Sequence, residues 1–151
     1  MEVEPNAIYI VLYARHDQKF HWALCIGITT TRVLKLHAAN LVGPWAFQEV
    51  EETITNSINC CIVYKLGMLD GQTTTVHVRE ILERIPMAIP KGSKESMFSC
   101  RVWAKEAIYK LHNARIVDCS DADKLEETLK AFGAAQLPLT EAGRGYQVIK
   151  S

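Results

Sequence analysis

Seven consecutive apolar residues, Ala7-Ile8-Tyr9-Ile10-Val11-Leu12-Tyr13, constrain this chain more than any other feature. They are mostly β-branched or aromatic, and the polar cluster Arg15-His16-Asp17 ends them, so the pattern predicts a strand over 7–14. A strand apolar on both faces needs a covering layer on each side. The run is far shorter than the ~20 residues that span a bilayer. The chain therefore builds a layered fold around a central strand.

The rest of the sequence divides into a strand half and a helix half. Residues 20–28 and 32–38 read as a hairpin turned by Thr29-Thr30-Thr31. Residues 45–54 alternate imperfectly, as an edge strand does, and residues 59–66 supply a fifth strand. Thr73-Thr74-Thr75 then offers an N-cap for a helix carrying Val76, Val78, Ile81, Leu82 and Ile85, which Pro86 stops. Ser96 or Ser99 caps the next helix, whose apolar face is Val102, Trp103, Ala107, Ile108 and Leu111. A third helix begins at Ser120-Asp121-Ala122-Asp123, its acidic first turn matching the macrodipole, and is expected to end at Phe132-Gly133. Residues 134–151 read as a tail in which Tyr146 to Ile149 offer a short strand. The expectation is a single domain over 1–151, with its core at about 7–132, of the α+β class: an antiparallel sheet packed by helices.

Charge and cysteine usage exclude several functions. Seventeen Lys and Arg balance seventeen Asp and Glu, which argues against nucleic-acid binding through bulk basic charge and against a polybasic membrane tether. The acidic start Glu2-Val3-Glu4-Pro5 lacks the pattern of a signal peptide. Five cysteines (Cys25, Cys60, Cys61, Cys100 and Cys119) form an odd set without a CxxC pair. They read as reduced thiols of a cytoplasmic protein, with no structural metal and no cofactor.

Three residues carry candidate chemistry. Cys100 falls where the central helix begins, and the positive end of a helix favours thiolate there. The first N–H groups of that helix are free to serve an acyl oxyanion. His21 and His37 lie on the two strands of the hairpin, near corresponding ends. A strand histidine can deprotonate a thiol, and a second can hold the first in one tautomer. Phe20, Trp22, Arg101 and Trp103 flank this set as candidate substrate-binding residues, the aromatics for an apolar cleft and Arg101 for a carboxylate. The three polar residues are also zinc-ligand types, although the reading takes no metal.

The segment Phe20-His21-Trp22-Ala23-Leu24-Cys25-Ile26-Gly27 resembles the His-Trp strand of the lecithin:retinol acyltransferase-like family, a circularly permuted branch of the NlpC-type, papain-like thiol enzymes. The order His21, His37, Cys100 matches that family over about residues 7–112. The resemblance implies a permuted papain-like fold with His21 as base, His37 as its orienting partner and Cys100 as nucleophile. The motif after the cysteine differs: the family has Asn-Cys-Glu-His-Phe and this chain has Ser99-Cys100-Arg101-Val102-Trp103. The whole chain is more similar to small fungal proteins of unassigned function, through Tyr9 to Arg15, His21-Trp22-Ala23, His37-Ala38 and Cys100 to Trp103. The expectation is a cysteine hydrolase or acyltransferase acting on an amide, ester or thioester of a small-molecule or acyl substrate, without a membrane anchor and with no nucleic-acid partner. Two alternatives stand beside it: an isomerase or cyclase of a small secondary metabolite using the same dyad, and a non-catalytic binding module on this fold.

Overall fold

Ala7 to Leu12 have no solvent-accessible surface, and the sheet explains why. In the computed structural model, which describes residues 2–17 and 19–150, β1 (Ala7–Ala14) is flanked on both edges. On one side runs β2 (Phe20–Gly27), antiparallel, in register from Ile8 opposite Ile26 to Ala14 opposite Phe20. On the other runs β5 (Cys60–Met68), also antiparallel, with register shifts at Ile8/Tyr9 and Leu12/Tyr13. β3 (Arg32–Ala39) and β4 (Ala46–Thr53) extend the sheet beyond β2, and β6 (Gln147–Lys150) closes the far edge, giving the order β4-β3-β2-β1-β5-β6.

The sheet is mixed rather than wholly antiparallel, because β6 runs parallel to β5. A parallel neighbour needs a crossover, and the helices between β5 and β6 supply it. These are α1 (Thr75–Glu83), α2 (Cys100–Asn113) and α3 (Ala122–Glu141). Each starts at a side-chain cap: Thr74 accepts the His77 N–H, Ser99 the Val102 N–H and Asp121 the Lys124 N–H. Such a cap contributes about 1 kcal/mol.

Strand alternation sorts the core into two layers. Ile8, Ile10 and Leu12 join Trp22, Leu24, Ile26, Leu36 and Ala38 on the face where all three helices pack. Tyr9, Val11 and Tyr13 join Ala23, Cys25, Val33 and Val63 on the opposite face, under Val3, Ile54 and Tyr146. Cys60 and Cys61 separate in the same way, one to each layer. The second layer is thin, and Gly27 lets it close: a Cβ there would sit 2.0 Å from the Glu4 carbonyl oxygen. The Val3 N–H donates to the Thr30 carbonyl and the Asn6 N–H to that of Gly27, fixing the segment against the β2 end.

The expected end of the third helix moves. Gly133 lies buried inside α3, where a Cβ would come within 2.6 Å of the Phe20 ring. Its lack of a side chain serves helix-to-sheet approach, not termination. Pro138 is also inside α3, which runs on to Glu141. Residues 134–150, read as a tail, thus complete α3 and add β6 to the sheet. Among the described residues no helix is long and apolar enough to cross a membrane.

Candidate functional site

Cys100 is the first residue of α2, preceded by the Ser99 cap. The Ser99 hydroxyl takes the Val102 N–H and the Ser99 carbonyl takes that of Trp103. The amides of Cys100 and Arg101 have no carbonyl one turn earlier in the helix to accept them. α2 packs on β2 and β3, and Cys100, 2% exposed, belongs to the helix-side core with Trp22 and Leu36. The thiol nevertheless lines a cleft of about 570 Å³. Phe20 and Trp22 form its apolar part, Glu95, Ser96, Met97 and Ser99 one wall, and Arg15, Lys19, Arg101 and Lys130 bring positive charge to it.

The two histidines meet each other but not the thiol. His21 Nε2 and His37 Nδ1 are 2.6 Å apart, with the rings edge to face. One imidazole N–H donates to the lone pair of the other, so the accepting ring is neutral. Burial pulls His21 down to about 3, with help from the His37 and Lys35 charges. Burial, then Lys35, pulls His37 down to about 4. Both side chains project from the face of Ala23 and Cys25, whereas Trp22, Leu24 and Cys100 occupy the other. The sheet stands between imidazoles and thiol, and neither imidazole lines the cleft. The expected Cys-His-His triad is therefore not assembled: the hairpin joins His21 to His37 as the sequence suggested, but adjacent residues on β2 point oppositely, and α2 lies on the Trp22 side.

On their own face the imidazoles adjoin a polar group that the sequence reading passed over. Tyr13 donates to Glu52, its hydroxyl lies 3.8 Å from Cys25 Sγ, and its ring lies 6.1 Å from that of His21. Lys35 Nζ sits 4.0 Å from the centre of the Tyr13 ring and 3.9 Å from Glu52. Burial pushes the Tyr13 hydroxyl far above its ordinary range and the Cys25 thiol up to about 12. The Tyr13 hydroxyl and the Cys25 thiol are thus held in their neutral forms, which suits a structural polar layer.

The other expected residues divide between cleft and core. Phe20, Trp22 and Arg101 line the cleft. Trp103 is fully buried against Phe47, with ring centres 6.1 Å apart, and its indole N–H has no hydrogen-bond partner among the described residues. It is a core residue, one turn too far along α2 to reach the wall. Arg101 is already engaged: it binds both oxygens of Glu95, at 3.0 and 2.6 Å, and donates to Glu126 at 2.9 Å. Lys105 bridges Glu95, Glu126 and Asp123, and Lys130 reaches Glu126 at 2.7 Å. Glu95 and Lys130 are among the cleft residues that sequence reasoning missed, with Arg15 and Met97. The Glu126–Lys130 spacing of four was a visible hint, whereas nothing local marks Glu95.

No metal centre emerges: among the described residues no group of three or more His, Cys, Asp or Glu is placed to hold a metal ion. The five cysteines are free. No curated protein matches the chain, and no solved structure matches it. A family described as a family of unknown function, DUF6914, matches residues 6–135, which include the whole hairpin, Cys100 and the Phe20–Gly133 contact. The match covers most of the chain, and the protein belongs to that family.

Proposed function

We propose that this protein binds a small organic acid in the cleft beside Cys100, with the apolar body of the ligand on Phe20 and Trp22 and its anionic group among the cations. The observation that carries this reading is the composition of the wall: two aromatics, a thiol at a helix N-terminus and four cations around about 570 Å³. That volume falls in the ordinary range for small-ligand sites. In this reading the domain is a binding module, and the imidazole pair serves the fold.

One observation favours a second, enzymatic reading. Cys100 lines the cleft at the start of a 14-residue helix, beside main-chain amides that helix geometry leaves unpaired. A thiolate there would attack the acyl carbon of a bound ester or thioester and those amides would receive the oxyanion; its collapse would expel the alcohol or thiol, protonated from solvent, and water or another acceptor would then displace the Cys100 thiolate from the acyl-enzyme. A relationship to permuted papain-like enzymes is supported by the chain order, a histidine-bearing hairpin followed by a cysteine-led helix packed on it. The position of His21 does not support it, so this route would run without an imidazole base.

Titration with benzoate, octanoate and phenyl phosphate, read by calorimetry, tests binding. The expected result is saturable binding, weakened about tenfold or more by Lys19→Ala and retained by Cys100→Ser. Absence of binding by all three removes the first reading. The p-nitrophenyl esters of benzoate and octanoate separate the two: product release that Cys100→Ser abolishes establishes the enzyme, and binding of the acids without release from the esters establishes the module.

A further inference from the structure

The cleft already holds a carboxylate, and it belongs to the protein. Glu95 lies in the segment 84–99, which contains neither helix nor strand. Its two oxygens meet the two terminal nitrogens of Arg101, the paired geometry by which a guanidinium recognises a carboxylate. Both residues line the cleft. We infer that Glu95 is a resident pseudo-ligand of Arg101, and that a carboxylate-bearing ligand entering the cleft exchanges with it. This rests on the binding reading above and assigns that site its anion-recognising residue and its gate.

The surrounding network makes exchange feasible, because neither half of the broken pair is stranded. Arg101 keeps Glu126, which is bound to the same terminal nitrogen as one Glu95 oxygen and holds the guanidinium in place. Its other terminal nitrogen is then free for the incoming acid. Glu95 keeps Lys105, whose Nζ is 3.2 Å from the Glu95 oxygen. The pair is also within reach of solvent, with side-chain exposures of 26% for Arg101 and 20% for Glu95. Charge favours the exchange as well: Arg101, Lys105 and Lys130 are matched by Glu95, Glu126 and Asp123 within the network. Once Glu95 turns from Arg101 to Lys105 alone, the guanidinium presents its positive charge to the cleft beside Lys19 and Arg15. Arg101 holds the Glu95 carboxyl down to about 2, so acidity in the neutral range does not open the pair, which leaves a competing anion as its natural opener. Residues 95–97 line the same cleft as Cys100, so the exchange takes place on the cleft that Cys100 lines.

The test is the rate of Cys100 alkylation by iodoacetate relative to iodoacetamide, read residue by residue by mass spectrometry on the full chain. The two reagents differ in charge, so their ratio reports the local field while their mean reports access. Removing the Glu95 charge should raise the ratio about tenfold in Glu95→Gln. Glu95→Asp, which keeps the carboxylate, should raise it far less, and Glu95→Gln with Arg101→Gln should cancel the rise. An unchanged ratio in Glu95→Gln overturns the inference, as does a rise that survives loss of Arg101. Cys119 in the same digest is the internal reference for folding, and Glu95→Ala is the second variant if glutamine disturbs it. The two readings fail separately. An unchanged ratio with intact benzoate binding removes the gate alone, and a raised ratio without benzoate binding removes the ligand reading alone.

Discussion

His21 and His37 show how much a single side chain's chemistry depends on its surroundings. An imidazole is an adaptable base in water, yet this pair is held neutral by burial, with shifted values of about 3 and 4. The consequence for stability has a definite sign. The unfolded chain takes up protons near pH 6.5 that the folded protein refuses until about pH 4, so stability is complete above 6.5 and falls as pH drops towards 4. Denaturant melts between pH 7 and 4 should show this slope, and His21→Gln should flatten it; equal slopes in both proteins would mean that the imidazoles are solvated. Lys35, Tyr13 and Glu52 face the pair and remain in the variant. Glu95 contributes in a lower window, between its ordinary 4.5 and about 2, which overlaps that of the imidazoles only below pH 4.5.

At the level of elements, the strands were legible because their residues are. β1, β2, β3 and β4 fall within a residue or two of the apolar and β-branched runs, and each helix starts at a Ser, Thr or Asp cap that the sequence advertises. The end of α3 was not legible, because a glycine read locally is a terminator and only contact with Phe20 reveals its other use. Gly27 is the comparable case in the sheet. Gly27→Ala places a methyl against main chain, which cannot swing aside as a side chain can, and should destabilise the protein by about 2–3 kcal/mol. Thermal unfolding measures this, and an unchanged midpoint would mean that the 2–6 segment detaches without cost. Ser99→Ala removes the α2 cap and should cost about 1 kcal/mol by the same measurement, with a larger relative effect on Cys100 alkylation than on Cys119.

For the whole molecule, the sheet acts as a partition. The thiol, the cleft and the ion network lie on the helix side, and the imidazoles, Tyr13 and Cys25 lie on the other. Chemistry on one side should therefore be independent of the other. His21→Ala should leave the pH profile of Cys100 alkylation within about twofold of wild type, whereas an imidazole acting on the thiol would shift that profile by a unit or more. A clear shift would return His21 to the site and remove the partition.

The sequence by itself determined which residues extend, which coil and where each helix begins, because these are local matters of side-chain shape, alternation and capping. It also brought His21 and His37 together, since one hairpin carries both. Only the tertiary structure decided which face of the sheet received the helices. β1 is apolar on both faces, so its pattern names neither as the inside. The bulky row Trp22, Leu24 and Ile26 against the smaller Ala23 and Cys25 was the one local sign of the helix side. Whether Cys100 met imidazole followed from that choice of face. Glu95 and Arg101 lie only six residues apart, yet their pairing still depends on how the segment 84–99, which is neither helix nor strand, runs along the cleft. Faces are set by how layers pack, and no local window of sequence holds both the sheet and the helices that choose its face.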